Sequence, residues 1–406
     1  MTHKVSILGW AVLLPALCFA TNFGGDWGTT LYLYRDRIDT LQSLTNFYEN
    51  LNVHAINING SDISVFANAN ATNAFTGPSR KEVEVNHLYL DWRNIQNKLD
   101  LRVGRQRNFE GVEPCYFDGV SFHARLLPNI TLSAYGGPKV PSRFSSTAVE
   151  TNKDSAIIDI GARAQAAFGK TLMGLSFHQD QQYHTTSDQD IGADLSQSIG
   201  KLFYRGDYTY SISENRPDNY ELYLQLKPFE KINITGTFYG DNSKPDTMDI
   251  FATRIFQDYY QASFAAAYGF SPQTIVSAGY MQRIINEDNA NYEIKARFEN
   301  PRLFAEFLHD WGYGGFNTQG NIAVHFWKTT YTLMEVGGTV MRYGFSDTAS
   351  ALPLYAWVGR AAVDVAPALS WWNSRLELQY LRNRFYQYDT RLLFVTHIYF
   401  STFTTR

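Results

Sequence analysis

The residues best equipped for chemistry are ionised side chains spaced two apart in otherwise apolar company. Lys98, Asp100, Arg102 and Gln106 interleave with Leu99, Leu101 and Val103. In an extended chain successive side chains leave opposite faces, so each set shares one surface. The same spacing collects Arg163, Arg205, Asp207, Glu221, Glu293, Lys295, Arg297, Arg360, Asp364, Arg375 and Glu377. A ring of one sign on such a surface would select ions. A mixed set like this one either filters solutes weakly or braces a wall through salt bridges. Arg105 falls on the apolar parity. It belongs near lipid headgroups, unless Gly104 marks a bulge that resets the face.

Other combinations offer less. His309 and Asp310 are neighbours, which puts them on opposite faces of a strand and argues against a dyad. His178 and Asp180 invite an enzymatic reading, but no Ser, His and acid assemble from a recognisable motif. No enzymatic activity is expected. The cysteines are Cys18 and Cys115, and Cys18 falls in the leader described below. Cys115, after Glu113-Pro114, reads as a loop thiol. No disulfide, metal site or haem attachment is expected, and no cofactor. The formal net charge is −4, with no basic stripe for nucleic acid.

The elements that must position these residues recur from Trp27 to Phe400. Segments of about ten residues alternate apolar and polar, then a turn cluster follows. Tyr220, Leu222, Leu224 and Leu226 alternate with Glu221, Tyr223, Gln225 and Lys227. Tyr292, Ile294, Ala296 and Phe298 alternate with Glu293, Lys295, Arg297 and Glu299. Asn59-Gly60-Ser61-Asp62, Lys227-Pro228-Phe229-Glu230 and Glu299-Asn300-Pro301-Arg302 read as tight turns. Pro138–Ser155, Gln179–Gly192 and Asp241–Gln257 read as longer connections. Within the last, Ile250, Phe251, Arg254 and Phe256 are candidates for a loop that folds inward and narrows a lumen. The same run would serve equally as a strand extension outside the membrane.

Mean hydropathy is −0.29, which excludes a bundle of membrane helices. Val5–Ala20 is the one long apolar stretch. It reads as a secretory signal peptide over residues 1–20, with cleavage after Ala20 and Thr21 leading the mature chain. A leader, strands without intervening helices and aromatics near strand ends (Trp92, Trp311, Trp327, Trp357, Tyr380 and Tyr399) together favour a membrane barrel over a soluble sandwich or propeller. The expected fold is all-β: a transmembrane antiparallel up-and-down β-barrel spanning residues 21–406. About 20 strands are expected, within 18–22 and even in number. Leu392, Phe394, Ile398 and Phe400 give its closing strand.

Leu99-Asp100-Leu101-Arg102-Val103-Gly104-Arg105-Gln106, followed by Tyr116-Phe117-Asp118-Gly119-Val120, resembles the paired strands of bacterial outer-membrane porin-like proteins. The match covers roughly Leu88 to Pro138. The resemblance implies the outer membrane of a Gram-negative-type bacterium, contact with its lipid, and passive diffusion of small hydrophilic solutes. It implies as the alternative a rival role, since related barrels sheath a multihaem cytochrome in a trans-membrane electron conduit.

Overall fold

The computed structural model describes residues 20–35, 43–74, 81–108, 115–140, 157–182, 185–242, 259–286, 289–313, 315–344, 354–365, 371–383 and 388–401. They form β1 (Ala20–Arg35), β2 (Ser43–Ile58), β3 (Ile63–Ala74), β4 (Lys81–Ile95), β5 (Leu99–Asn108), β6 (Cys115–Leu127), β7 (Ile130–Pro138) and β8 (Ile158–Phe168). There follow β9 (Thr171–Gln182), β10 (Thr185–Ile199), β11 (Leu202–Ser211), β12 (Arg216–Phe229), β13 (Ile232–Asp241), β14 (Tyr259–Ser271) and β15 (Thr274–Asn286). The chain then runs through β16 (Asn289–Glu299), β17 (Leu303–Gly312), β18 (Gly315–Lys328), β19 (Thr332–Gly344), β20 (Leu354–Val365), β21 (Trp372–Arg382) and β22 (Asp389–Ser401).

Each strand pairs antiparallel with the next, and β1 pairs with β22 from Gly24↔Ser401 to Leu33↔Leu392, so the 22-stranded sheet closes. Closure leaves no edge, which is what lets a sheet sit in hydrocarbon with every backbone group satisfied. At a strand spacing near 4.8 Å and a tilt near 40°, the wall is roughly 40 Å across between backbones. Among the described residues every segment lies in a strand, a turn or a short extension of one, and none crosses the lumen.

The two rims differ. At one rim the turns are short: Gly169-Lys170, Gly200-Lys201, Glu230-Lys231 and Pro272-Gln273 each span two residues. Gly169 and Gly200 hold φ near +60° and +58°, a conformation that glycine enters without penalty and that two-residue hairpin turns require. At Asn300 the side chain itself closes the turn, its Oδ1 accepting from the Arg302 and Leu303 amides at 2.8 Å each. The opposite rim carries the longer connections, including 141–156 and 243–258. The run with Ile250, Phe251, Arg254 and Phe256 lies outside the described residues, as do residues 1–19 of the leader expected over 1–20.

Three sequence expectations change here. Gln179–Gly192 is a hairpin, not a loop: β9 and β10 pair through Ile191↔Phe177, Gln189↔Gln179 and Thr186↔Gln181. Its composition misleads because both faces are polar. Gln179 and Gln181 occupy the outer face at a level near the rim, where a strand leaves the hydrocarbon. Cys115 is the first residue of β6 and is buried, 3% exposed, so it is not a loop thiol. The first segment of turn at Lys227-Pro228-Phe229 instead continues β12, with the register slipping between Leu226 and Phe229.

Aromatics on the outer face cluster toward the rims. Trp311 stacks on Tyr292 at 5.5 Å near the long-loop rim, and His309 stacks on Trp311 at 5.1 Å. Trp357 packs against Tyr380 at 5.4 Å near the same rim. Trp92 lies exposed near the short-turn rim, and Trp327 is exposed beside the short-turn end of β18. Tyr399 departs from this set. It pairs with Asp26 and takes a hydrogen bond from Asn373, which places it on the inner face.

Candidate functional site

The inner face is the candidate site, because it is where the ionised groups converge. Arg102, Arg163, Arg205, Asp207, Glu221, Glu293, Lys295, Arg297, Arg360, Asp364, Arg375 and Glu377 all fall on the parity opposite the exposed aliphatic rows, such as Leu222, Leu224 and Leu226. They form local ion clusters, each set by cross-strand register.

The densest joins β18, β19, β20 and β21. Arg375 reaches Asp364 at 2.8 Å, Glu377 at 2.7 Å and Glu335 at 3.7 Å. Arg360 holds Glu335 at 3.1 Å, and His325 holds its other oxygen at 3.0 Å. Register explains the meeting: Asp364 lies opposite Arg375, Ala362 opposite both Glu335 and Glu377, and Gly337 opposite Arg360. A Cβ at Gly337 would meet the Ile322 carbonyl oxygen of β18 at 2.6 Å, so glycine lets β18 and β19 approach closely beside the cluster. Next to it, Arg391 binds Asp389 at 2.7 Å and donates to the Tyr32 hydroxyl at 2.9 Å, tying β22 to β1 across the closure.

On the other side of the barrel Arg163 binds Asp194 at 2.8 Å, and Arg205 binds Asp207 at 2.7 Å beside Glu221. Lys295 binds Glu306 at 3.0 Å, Arg297 pairs with Glu299, and Glu293 lies opposite Asp310. Arg102 sits over the Tyr89 ring at 4.5 Å, with Asp91 at 3.8 Å. It lines a cleft of about 600 Å³ in the wall together with Arg93, Asp100, Arg107, Arg125 and Arg163. Between these sectors β1–β4 present a ladder of amides ending on one carboxylate, in which Asp26, Asn52, Asn50, Asn70, Asn68 and Asn86 are linked side chain to side chain.

Arg105 lies on the outer face, where its guanidinium grips Asp118 through two bonds of 2.7 Å and donates to the Val85 carbonyl at 3.1 Å. Gly104 does not reset the face, since Val103↔Val120 and Arg105↔Asp118 run in unbroken register. Gly104 is needed for another reason: at φ +125°, a Cβ there would meet the Leu88 carbonyl oxygen at 2.3 Å. His309 and Asp310 do face apart. His309 is held outside by Thr318 at 2.8 Å, and Asp310 accepts from Asn317 inside at 3.3 Å.

Sequence reasoning missed Glu335, Glu306, Asp194 and the buried Asp389 and Asp91 as members of these clusters. Parity alone would have found Glu306 and Asp194. Glu335 gave no signal in Leu333-Met334-Glu335-Val336, because its partners arrive from three other strands.

The burial of Cys115 has a direct consequence. A water-soluble maleimide should label the folded barrel at least tenfold more slowly than the unfolded chain. Equal labelling rates would contradict the packing of β6 against β7 and β8.

No protein-family model matches the chain, and no curated protein sequence matches it. Solved structures do. The P pilus usher PapC translocation pore superposes with a TM-score of 0.54 at 7% identity, covering 94% of this chain and 100% of that one. The FrpB iron transporter of Neisseria meningitidis gives a TM-score of 0.53 at 10% identity, covering 94% of this chain and 81% of that one. At these identities the likeness is one of fold. The chain has the fold of an outer-membrane β-barrel.

Proposed function

We propose that the protein is an outer-membrane channel for the passive diffusion of small hydrophilic solutes. The observation that carries this reading is the inner face. It is lined by ionised and amide groups around the whole circumference, while the outer face carries Leu, Val, Ile and Phe. Such a wall wets its interior and faces lipid outside. Most of the inner charges are paired with neighbours of opposite sign, so their fields cancel over about one Debye length, roughly 8 Å at physiological salt. Weak selectivity follows.

A second reading is favoured by the width of the wall. A lumen bounded by 22 strands exceeds what 16–18-stranded diffusion pores enclose. It has room for a folded partner such as a multihaem cytochrome, for which the barrel would be the sheath.

Single-channel recording separates the two. Purified protein in planar bilayers should give ohmic channels with little preference between potassium and chloride. Deleting 243–256 should raise conductance if that segment narrows the lumen, with barrel formation intact. Conductance equal to wild type in the folded deletion variant would remove the constriction and favour the sheath. Absence of any channel activity from folded wild-type barrel would remove the diffusion reading itself.

A further inference from the structure

We propose that the wall near the long-loop rim contains a binding site for one divalent transition cation of the zinc class, held by Asp159, His178 and Asp180. The three ligands come from two strands. Asp159 on β8 lies opposite Asp180 on β9, and His178 precedes Asp180 by two, so all project from one face. His178 Nε2 is 3.2 Å from Asp159 Oδ1 and 3.5 Å from Asp180 Oδ1. The ligand atoms lie within 4.8 Å of one another. Around a tetrahedral zinc with bonds of 2.0–2.1 Å, neighbouring ligand atoms are separated by about 3.3 Å. The two short edges of this triangle already have that length.

The hydrogen bonding points the same way. His178 Nδ1 faces Asp190 Oδ2 at 3.4 Å, directly opposite it on β10. With its proton on Nδ1, the imidazole turns the Nε2 lone pair toward two carboxylates. This carboxylate–histidine arrangement is the one that orients histidine ligands in metal sites. Asp159 is 0% exposed, and neither of its oxygens accepts a hydrogen bond of good geometry. Asp180 Oδ1 likewise accepts none, while its Oδ2 is occupied by Lys139 Nζ at 2.8 Å. A fully buried carboxylate left this way is unfavourable unless a cation compensates it. Two carboxylates and one imidazole suit a first-row divalent ion better than calcium, which takes oxygen ligands in greater number. Cys115 and Tyr135 lie beside Asp159.

The rival occupant is a second proton on His178, which would make the group an imidazolium among three carboxylates. Titration of chelator-treated, refolded protein with zinc chloride distinguishes them. One zinc per barrel should bind, with thermal unfolding moved upward. Asp159→Asn and Asp180→Asn should each abolish saturable binding, and Asp190→Asn should weaken it roughly 10–100-fold, as loss of an orienting partner does. Asp207→Asn, on the same face but in another cluster, should leave binding unchanged. Heat-modifiable migration on gels reports folding of each variant, and the wild-type titration is decisive if one of them fails to fold. No zinc binding by wild type, or binding that survives in folded Asp159→Asn and Asp180→Asn, would overturn the site in favour of the imidazolium.

Discussion

Leu224→Arg should prevent efficient insertion, whereas Gln225→Arg, one residue on, should fold normally. Leu224 lies on the outer face midway along β12, between Tyr204 and Gly236 in register, and is exposed to the surroundings of the barrel. A guanidinium there meets hydrocarbon, at a cost of roughly 2–4 kcal/mol near the bilayer midplane. Gln225 faces inward and bonds Asn233 at 2.9 Å. Arginine at that position reaches water, and its effect on stability should stay within about 0.5 kcal/mol. It should instead shift ion preference toward chloride. Refolding yields into lipid vesicles measure the first effect and reversal potentials the second. Equal yields for the two variants would show that the faces of β12 are assigned the wrong way round.

Arg375→Met should destabilise the barrel by about 3 kcal/mol, the lower end of what is lost when one partner of a buried ion cluster is removed. The reason is arithmetic of charge. Glu335, Asp364 and Glu377 converge on Arg375, leaving Arg360 and His325 to answer them, and both bind Glu335. Asp364 and Glu377 would then face each other uncompensated. Converting Glu377 to Gln in the same chain should restore at least half of the loss. Urea titration of the vesicle-inserted protein checks both, and a single Arg375→Met variant as stable as wild type would show the cluster to be solvated rather than structural.

What the sequence made legible was local. Alternation over Tyr220–Lys227 and Tyr292–Glu299 set which side chains share a face, and parity needs only the chain itself. Cross-strand company was not legible, since register between strands is decided by turn geometry and by neighbours remote in sequence. The Glu335 cluster and the Asp159–His178–Asp180 triangle both depend on it. Gln179–Gly192 failed for another reason. A strand that has risen out of hydrocarbon loses the apolar row by which strands were recognised, so the part of the hairpin carrying Asp180 and Asp190 read as a loop.

The pairing of β1 with β22 sets an order of events for assembly. Gly24 meets Ser401, so this contact joins the far ends of the sheet, while every other strand pairs with its immediate neighbour in sequence. Hairpins can form as soon as both arms are present, but the seam cannot form until the rest of the sheet has curled round. Until then two unpaired edges stand open, each a template for another chain, and the loop to be closed carries the largest entropic penalty in the molecule. The Arg391–Tyr32 bond and the Arg35–Asp389 contact straddle this seam. They are therefore the last polar contacts to form and act as the clasp of a finished ring.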